Sequence, residues 1–242
     1  MSDLVAAADR LRRSLRPLKF ADPVTHVYNP LEYAWEAHQR YLSNACPETC
    51  EVLFLGMNPG PWGMAQTAVP FGEVATVREY LGIEVPAVEI EHVHPKRPIE
   101  GTGCKRSEVS GRRLWGLFRQ RYPSAEDFFH RNFVANYCPL VFMETTGRNR
   151  TPDKLPAAER EPLGACCDRH LAQTLSVLRP DFAVGVGAYA EACLKRVVAE
   201  SGTGGSRAPR VLRILHPSPA SPAANRGWAE AASKTLCEEG VW

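Results

Sequence analysis

Two loops carry polar side chains directly after short apolar segments that are typical of buried strands. Residues 56–61 (GMNPGP) follow segment 52–55, and residues 216–219 (HPSP) follow segment 211–215. Ligands of open parallel α/β sheets bind outside the carboxyl ends of strands, so we expect Asn58 and His216 to line one pocket. An amide can orient water, and a neutral imidazole can donate a hydrogen bond to a leaving group. Each residue alone has a structural alternative, an Asx turn for Asn58 and a satisfied core side chain for His216.

A third apolar segment, 133–137, contains Asn136 near its end. A buried amide without partners costs about 1–3 kcal/mol, so Asn136 needs hydrogen bonds. Its adjacent donor and acceptor match a nucleobase carbonyl and ring N–H, although bonds to neighbouring backbone are equally consistent with the sequence. Trp62, Met64 and Phe71 offer flat apolar surface for a base, or ordinary core packing.

Alternating strand and helix patterns predict the element order that would position these loops. Strand-like segments are 52–55, 133–137, 182–186 and 211–215, and helical patterns cover 4–15, 31–42, 107–120, 157–178, 188–199 and 223–239. This alternation predicts an α/β fold with a parallel sheet between helices. Residues 67–103 and the Gly- and Ser-rich run 202–206 are predicted to be loops. We expect one domain over 1–242, with the N-terminal 50 residues supplying helices that pack on it.

Composition limits the class of protein. The chain has 242 residues, a net charge of +2 and eight cysteines without a C-x-x-C pair, so we expect reduced thiols and no metal. No segment approaches a membrane span or a signal peptide, which favours an intracellular protein, cytoplasmic if bacterial and nuclear if eukaryotic. Between residues 92 and 121, eight basic residues stand against two acidic ones, which predicts a phosphate-facing patch of local charge +6. A solvated surface is the alternative for any one of these residues.

The order of several motifs resembles one enzyme family. These motifs are GMNPG at 56–60, WGMAQT at 62–67, PFGE at 70–73, NYCP at 136–139 and HPSP at 216–219. Shorter matches at 94–98, 107–111, 147–149 and 225–228 extend the similarity from about residue 51 to 228. The chain resembles the single-strand-selective monofunctional uracil-DNA glycosylases.

That resemblance implies a three-layer α/β/α fold with a central four-stranded parallel sheet, in agreement with the strand pattern. It implies hydrolysis of the N-glycosidic bond of a flipped-out deoxyuridine, which leaves an abasic site and requires no cofactor. Asn58 would lie near the hydrolytic water, and His216 would support charge on uracil O2. The base pocket would be formed by Asn136 at the uracil edge, Phe71 stacked on the ring, and Met57, Gly60 and Met64.

Departures from the better-known uracil-DNA glycosylases suggest a wider substrate range. Gly60 stands where those enzymes have a tyrosine that blocks uracil C5, so we expect 5-hydroxymethyluracil to be accepted. Asn58 replaces an acidic residue, so catalysis should depend on leaving-group stabilisation and water positioning.

Residues 217–226 resemble the family's duplex wedge. Ala220 stands where related enzymes carry a larger side chain, which leaves the activity on duplex DNA open. The residues expected to contact DNA are Pro217, Ser218, Pro219, Ala220, Ser221, Arg226, Lys96, Arg97 and Arg112.

The expected partners are single- and double-stranded DNA with uracil or oxidised or deaminated bases, bound by a monomer. Three alternatives remain open: a non-catalytic lesion-binding protein, a glycosylase mainly for deaminated purines, and a hydrolase of free nucleosides. The last would need no basic patch, and its activity would respond little to salt.

Overall fold

Four parallel strands form the centre of the structure, a computed structural model that describes residues 2–200 and 208–242. They are β2 (Val52–Gly56), β3 (Asn132–Asn136), β6 (Phe182–Val186) and β7 (Arg210–Ile214), in the order β3-β2-β6-β7. Strand β2 is buried at all five positions, which explains its uninterrupted apolar sequence. Helices flank the sheet, so the predicted α/β class with a four-stranded parallel sheet is confirmed.

The helices begin where capping residues and apolar spacing predict them. Asn29 accepts a hydrogen bond from the Leu31 backbone N–H at 3.1 Å, with Pro30 as the first helical residue. The helices are α1 (Asp3–Leu15), α2 (Pro30–Tyr33), α3 (Trp35–Leu42), α4 (Met64–Thr67), α5 (Val74–Glu79), α6 (Val109–Arg121), α7 (Ala125–Arg131), α8 (Ala157–Leu178), α9 (Ala188–Glu200) and α10 (Trp228–Glu238). Helix α1 packs against α8, and its Leu4, Leu11 and Leu15 join the main core.

Two helices predicted as continuous are interrupted. The pattern over 31–42 is divided at Ala34, whose backbone leaves the helical region at φ −128° and ψ 36°. The pattern over 223–239 yields a 3₁₀ turn, Ala224–Arg226, followed by α10. Gly227 separates the two at φ +117°, a conformation that L side chains rarely adopt and that no helix contains.

A second sheet and three helices, α4, α5 and α7, were not predicted. Strands β1 (Val24–Tyr28), β4 (Val141–Glu144) and β5 (Asn149–Arg150) form an antiparallel sheet in the order β1-β4-β5. Helix α5 lies inside the segment predicted to be an irregular loop, and α7 precedes β3. The predicted flexible run 202–206 lies outside the described residues.

The structure describes the state of the cysteines, the grouping of metal-ligating side chains and the character of the helices. All eight cysteines are free thiols, six of them buried. Within residues 2–200 and 208–242, no three His, Cys, Asp or Glu side chains are grouped to hold a metal ion. In the same ranges, no helix combines the length and apolarity needed to cross a membrane.

Candidate active site

A cavity of about 620 Å³ opens at the carboxyl ends of the parallel strands. Its volume lies in the range of roughly 300–1,000 Å³ that is usual for ligand pockets. Of the predicted site residues, the cavity brings together Met57, Asn58, Gly60, Met64, Phe71, Asn136, His216, Ser218 and Pro219. Residues up to 162 positions apart in the sequence therefore surround one space, as the strand-end rule predicted.

Asn58 follows β2 and is held by its amide nitrogen. Its Nδ2 donates to the carbonyl oxygens of Leu140 at 3.3 Å and Pro59 at 3.4 Å. Asn149 reinforces this loop because its own Nδ2 donates to the Pro59 carbonyl at 3.2 Å. With the Asn58 nitrogen committed to backbone carbonyls, its Oδ1 is the atom that can accept a hydrogen bond from water.

Asn136 lies opposite Gly56 in the β2–β3 register. The Asn136 side chain is buried, and its Nδ2 lies 3.3 Å from the Met64 sulfur. Its Oδ1 has no hydrogen-bond partner among the described residues. An unsatisfied buried acceptor costs about 1–3 kcal/mol, so this oxygen is ready for a donor on a ligand in the cavity.

Phe71 adopts a strained backbone conformation beside Asn136. Its φ is +53°, in the left-handed region that costs a non-glycine residue of order 1–3 kcal/mol. The preceding residue is fixed by Trp115, whose indole Nε1 donates to the Pro70 carbonyl at 3.2 Å. The Phe71 ring centroid lies 6.0 Å from that of His216. The aromatic face and the imidazole therefore border the same part of the cavity.

His216 follows the last strand, where Trp228 donates its indole N–H to the Leu215 carbonyl at 2.5 Å. Burial lowers the pKa of His216 below its ordinary value of 6.5. The imidazole is therefore neutral at pH 7 and can donate one hydrogen bond without first carrying charge.

The loop after His216 is held to helix α6 by Arg113. Its guanidinium donates to the carbonyl oxygens of Pro217 at 3.3 Å and Ser218 at 3.5 Å, and to Asn225 Oδ1 at 2.8 Å. Ala220 and Arg226 are exposed, and the Ser221 hydroxyl accepts from the Ala224 N–H. Arg113 is one of the eight basic residues between 92 and 121 that predicted a phosphate-facing patch. In the structure it holds the predicted wedge in place.

Four side chains of the predicted basic patch lie against aromatic rings. Arg97 and Arg106 lie against the Trp62 ring, at 5.0 and 4.6 Å from its centroid. At the other end of the basic stretch, Arg119 packs on Tyr80 and Arg121 on Trp242. The predicted DNA contacts Lys96, Arg97 and Arg112 are outside the lining of the cavity formed by the described residues.

Asn149 and Glu108 are polar cavity residues to which the sequence assigned no role. The Oδ1 atom of Asn149 and the Oε2 atom of Glu108 are buried and have no hydrogen-bond partner among the described residues. Both residues line the cavity. They belong to the short stretches 147–149 and 107–111, which contributed to the family resemblance. Their position as polar residues inside these matching stretches is the signal that could have identified them.

Comparison with known proteins identifies the family of the chain. Residues 42–236 match the model of the uracil DNA glycosylase superfamily. The chain is 47% identical over 232 residues to the single-strand selective monofunctional uracil DNA glycosylase of Mus musculus, covering 96% of this chain and 82% of the relative. The corresponding enzyme of Bos taurus is 48% identical over 234 residues, covering 96% and 84%.

The fold is similar to the crystal structure of SMUG2 from Pedobacter heparinus, with a TM-score of 0.66, 15% identity and 97% of each chain covered. At that identity the comparison supports the fold alone. The family match and the mammalian relatives establish that this chain belongs to the uracil-DNA glycosylase superfamily, within the single-strand-selective monofunctional group.

Proposed function

We propose that this protein hydrolyses the N-glycosidic bond of uracil in single- and double-stranded DNA and leaves an abasic site. The observation that carries the proposal is the buried Oδ1 of Asn136, which has no partner within residues 2–200 and 208–242. It lies next to Phe71 in the cavity shared by Asn58 and His216. Uracil has an imide N–H flanked by carbonyl groups, so its N3–H would supply the donor that Asn136 Oδ1 lacks. The base would stack on Phe71.

The chemistry follows from the donors and acceptors of the site. The bond between C1′ and N1 breaks, and its electron pair leaves with uracil as an anion with charge on O2. The neutral His216 donates a hydrogen bond to O2, while Asn58 Oδ1 accepts one from the water that attacks C1′. The amide of Asn58 cannot take up the water's proton, which passes to the departing uracil anion or to solvent. Stabilisation of the departing base therefore drives the reaction, with the DNA phosphates favouring positive charge on the sugar.

The test is product analysis of labelled single-stranded and duplex oligonucleotides that carry one uracil. We expect release of free uracil and strand cleavage only after hot alkali, because the enzyme breaks no phosphodiester. Binding without uracil release would favour a lesion-binding protein. Release from free deoxyuridine at a rate equal to that from DNA would favour a nucleoside hydrolase.

We propose 5-hydroxymethyluracil as a second substrate because Gly60 leaves the cavity wall without a side chain. A Cβ atom at this position would lie 2.2 Å from Glu108 Oε2, so any larger residue must displace that carboxyl group or enter the cavity. We expect Gly60→Tyr to reduce excision of 5-hydroxymethyluracil much more than excision of uracil, and Gly60→Ala to have an intermediate effect. Equal losses on both bases would contradict this assignment.

A further inference from the structure

The carboxyl group of Glu108 occupies an unusual position between two glycines of the loop that precedes α4. Cβ atoms built on Gly60 and Gly63 would lie 2.2 and 2.7 Å from its Oε2, so the carboxyl group fills the space that side chains at these positions would take. Glu108 directly precedes helix α6 and lines the cavity. It is thus a polar group in the wall formed by Gly60.

One oxygen of this buried carboxyl group, Oε2, has no hydrogen-bond partner among the described residues. Burial raises the pKa of Glu108 to about 7, against the opposing effect of the Trp62 and Gly63 backbone N–H groups. Near neutral pH the group exists in both forms, and in its acid form it can donate as well as accept. A neutral ligand hydroxyl can pair with either form.

The pose of the base places its 5-substituent on this side of the cavity. In the uracil ring C5 is the atom opposite C2, so a base with O2 at His216 directs its 5-substituent away from His216. With N3–H at Asn136 and the ring on Phe71, Gly60 and Glu108 belong to the part of the lining that these contacts leave unused. A hydrogen atom at C5 offers no donor to Glu108 Oε2, whereas a 5-hydroxymethyl group carries a hydroxyl toward it.

We propose that Glu108 is a specificity-determining residue that hydrogen-bonds the hydroxyl of a 5-hydroxymethyl substituent. The inference rests on the proposed function, since it assumes the uracil pose in this cavity. Gly60 only leaves space for the substituent of an oxidised base, whereas Glu108 would bind that substituent. A site built to pair with a hydroxyl discriminates strongly because its own polar group is left unpaired by other ligands.

A structural role for Glu108 makes a different prediction. If the carboxyl group served only to hold the loop through the Trp62 and Gly63 N–H groups, its loss would misplace Asn58 and Met64 for every substrate. Excision of uracil and 5-hydroxymethyluracil would then fall in parallel. The ratio of the two rates within one preparation separates these cases, and it does not depend on the fraction of folded enzyme.

The experiment measures single-turnover excision of both bases from the same single-stranded sequence by the wild type, Glu108→Leu and Glu108→Gln. We expect the leucine variant to lower the rate for 5-hydroxymethyluracil relative to uracil by about tenfold or more, because it removes the hydrogen bond at similar volume. Glutamine, which can still donate and accept, should keep the ratio within about threefold of the wild type.

The possible failures are distinguishable. A wild-type enzyme that releases no uracil would overturn the proposed function itself. A wild type that releases uracil but not 5-hydroxymethyluracil would overturn the second substrate and this inference together. A wild type active on both bases, with an unchanged ratio or parallel losses in Glu108→Leu, would overturn the role of Glu108 alone.

Discussion

Replacing Gly56 with alanine should misplace the two groups that would hold the base. A Cβ atom at Gly56 would lie 2.4 Å from Asn136 Oδ1 and 2.4 Å from Phe71 Cε2, where ordinary contacts begin at 3.4 Å. One or both side chains must therefore move by about 1 Å. A displacement of that size in a catalytic arrangement can cost about 100-fold in rate. Overpacking should also reduce the free energy of unfolding by about 1–3 kcal/mol.

The assay is single-turnover release of uracil at a temperature at which thermal denaturation shows every variant to be folded. Gly116→Ala is the matched control, because a Cβ there has no neighbour within 4 Å among the described residues and the position is helical. The control should excise at the wild-type rate and gain up to about 1 kcal/mol in stability. Full activity of a folded Gly56→Ala enzyme would refute the assignment of Asn136 and Phe71 to the base.

Three further predictions concern the wedge, acid stability and salt. Arg113→Gln should slow excision from duplex DNA about tenfold and excision from single strands less, because the Arg113 guanidinium holds the loop from Pro217 to Asn225. Equal effects on both substrates would contradict a wedge role. Burial lowers the pKa of His38 and of His170 from 6.5 to about 4. Above pH 6.5 both histidines are neutral in the folded and in the unfolded protein, and between pH 6.5 and pH 4 only the unfolded protein takes up protons at these positions. Urea titrations should show a stability loss of roughly 3 kcal/mol per histidine between pH 8 and pH 4, and a flat profile would argue against their burial as neutral side chains. Excision at limiting DNA should fall steeply as salt is raised, whereas a salt-independent rate would favour a free nucleoside as substrate.

The central sheet was predictable because its strands are covered on both faces and therefore read as continuous apolar segments. The predicted strand 182–186 has the observed bounds, and the predicted helix 157–178 matches α8. The antiparallel sheet was missed because β4 and β5 have only four and two residues and because its pairing, Val24 with Glu144, is distant in sequence. Such pairing depends on tertiary structure, which local patterns do not encode.

The sequence predicted those site residues whose positions are determined by the ends of strands. Asn58, Asn136 and His216 follow or end strands whose order brings their ends together, so topology placed them in one cavity. The roles of Glu108 and Arg113 were missed because these residues, at the start of α6 and within it, contact loops that are distant in sequence. Glu108 lies against the backbone of two glycines and Arg113 bonds to carbonyl groups of a loop. The spacing of residues in a sequence does not indicate such contacts.

The most direct test of the account compares chemistry with binding in Asn58→Ala and His216→Ala. Each variant is measured for single-turnover release of uracil and for affinity toward the same oligonucleotide carrying uracil. We expect each substitution to slow excision by about 100-fold or more, the usual loss for a group that stabilises a transition state, with DNA affinity within a few-fold of the wild type. Excision at the wild-type rate by either folded variant would contradict the assignment of water positioning to Asn58 or of leaving-group stabilisation to His216.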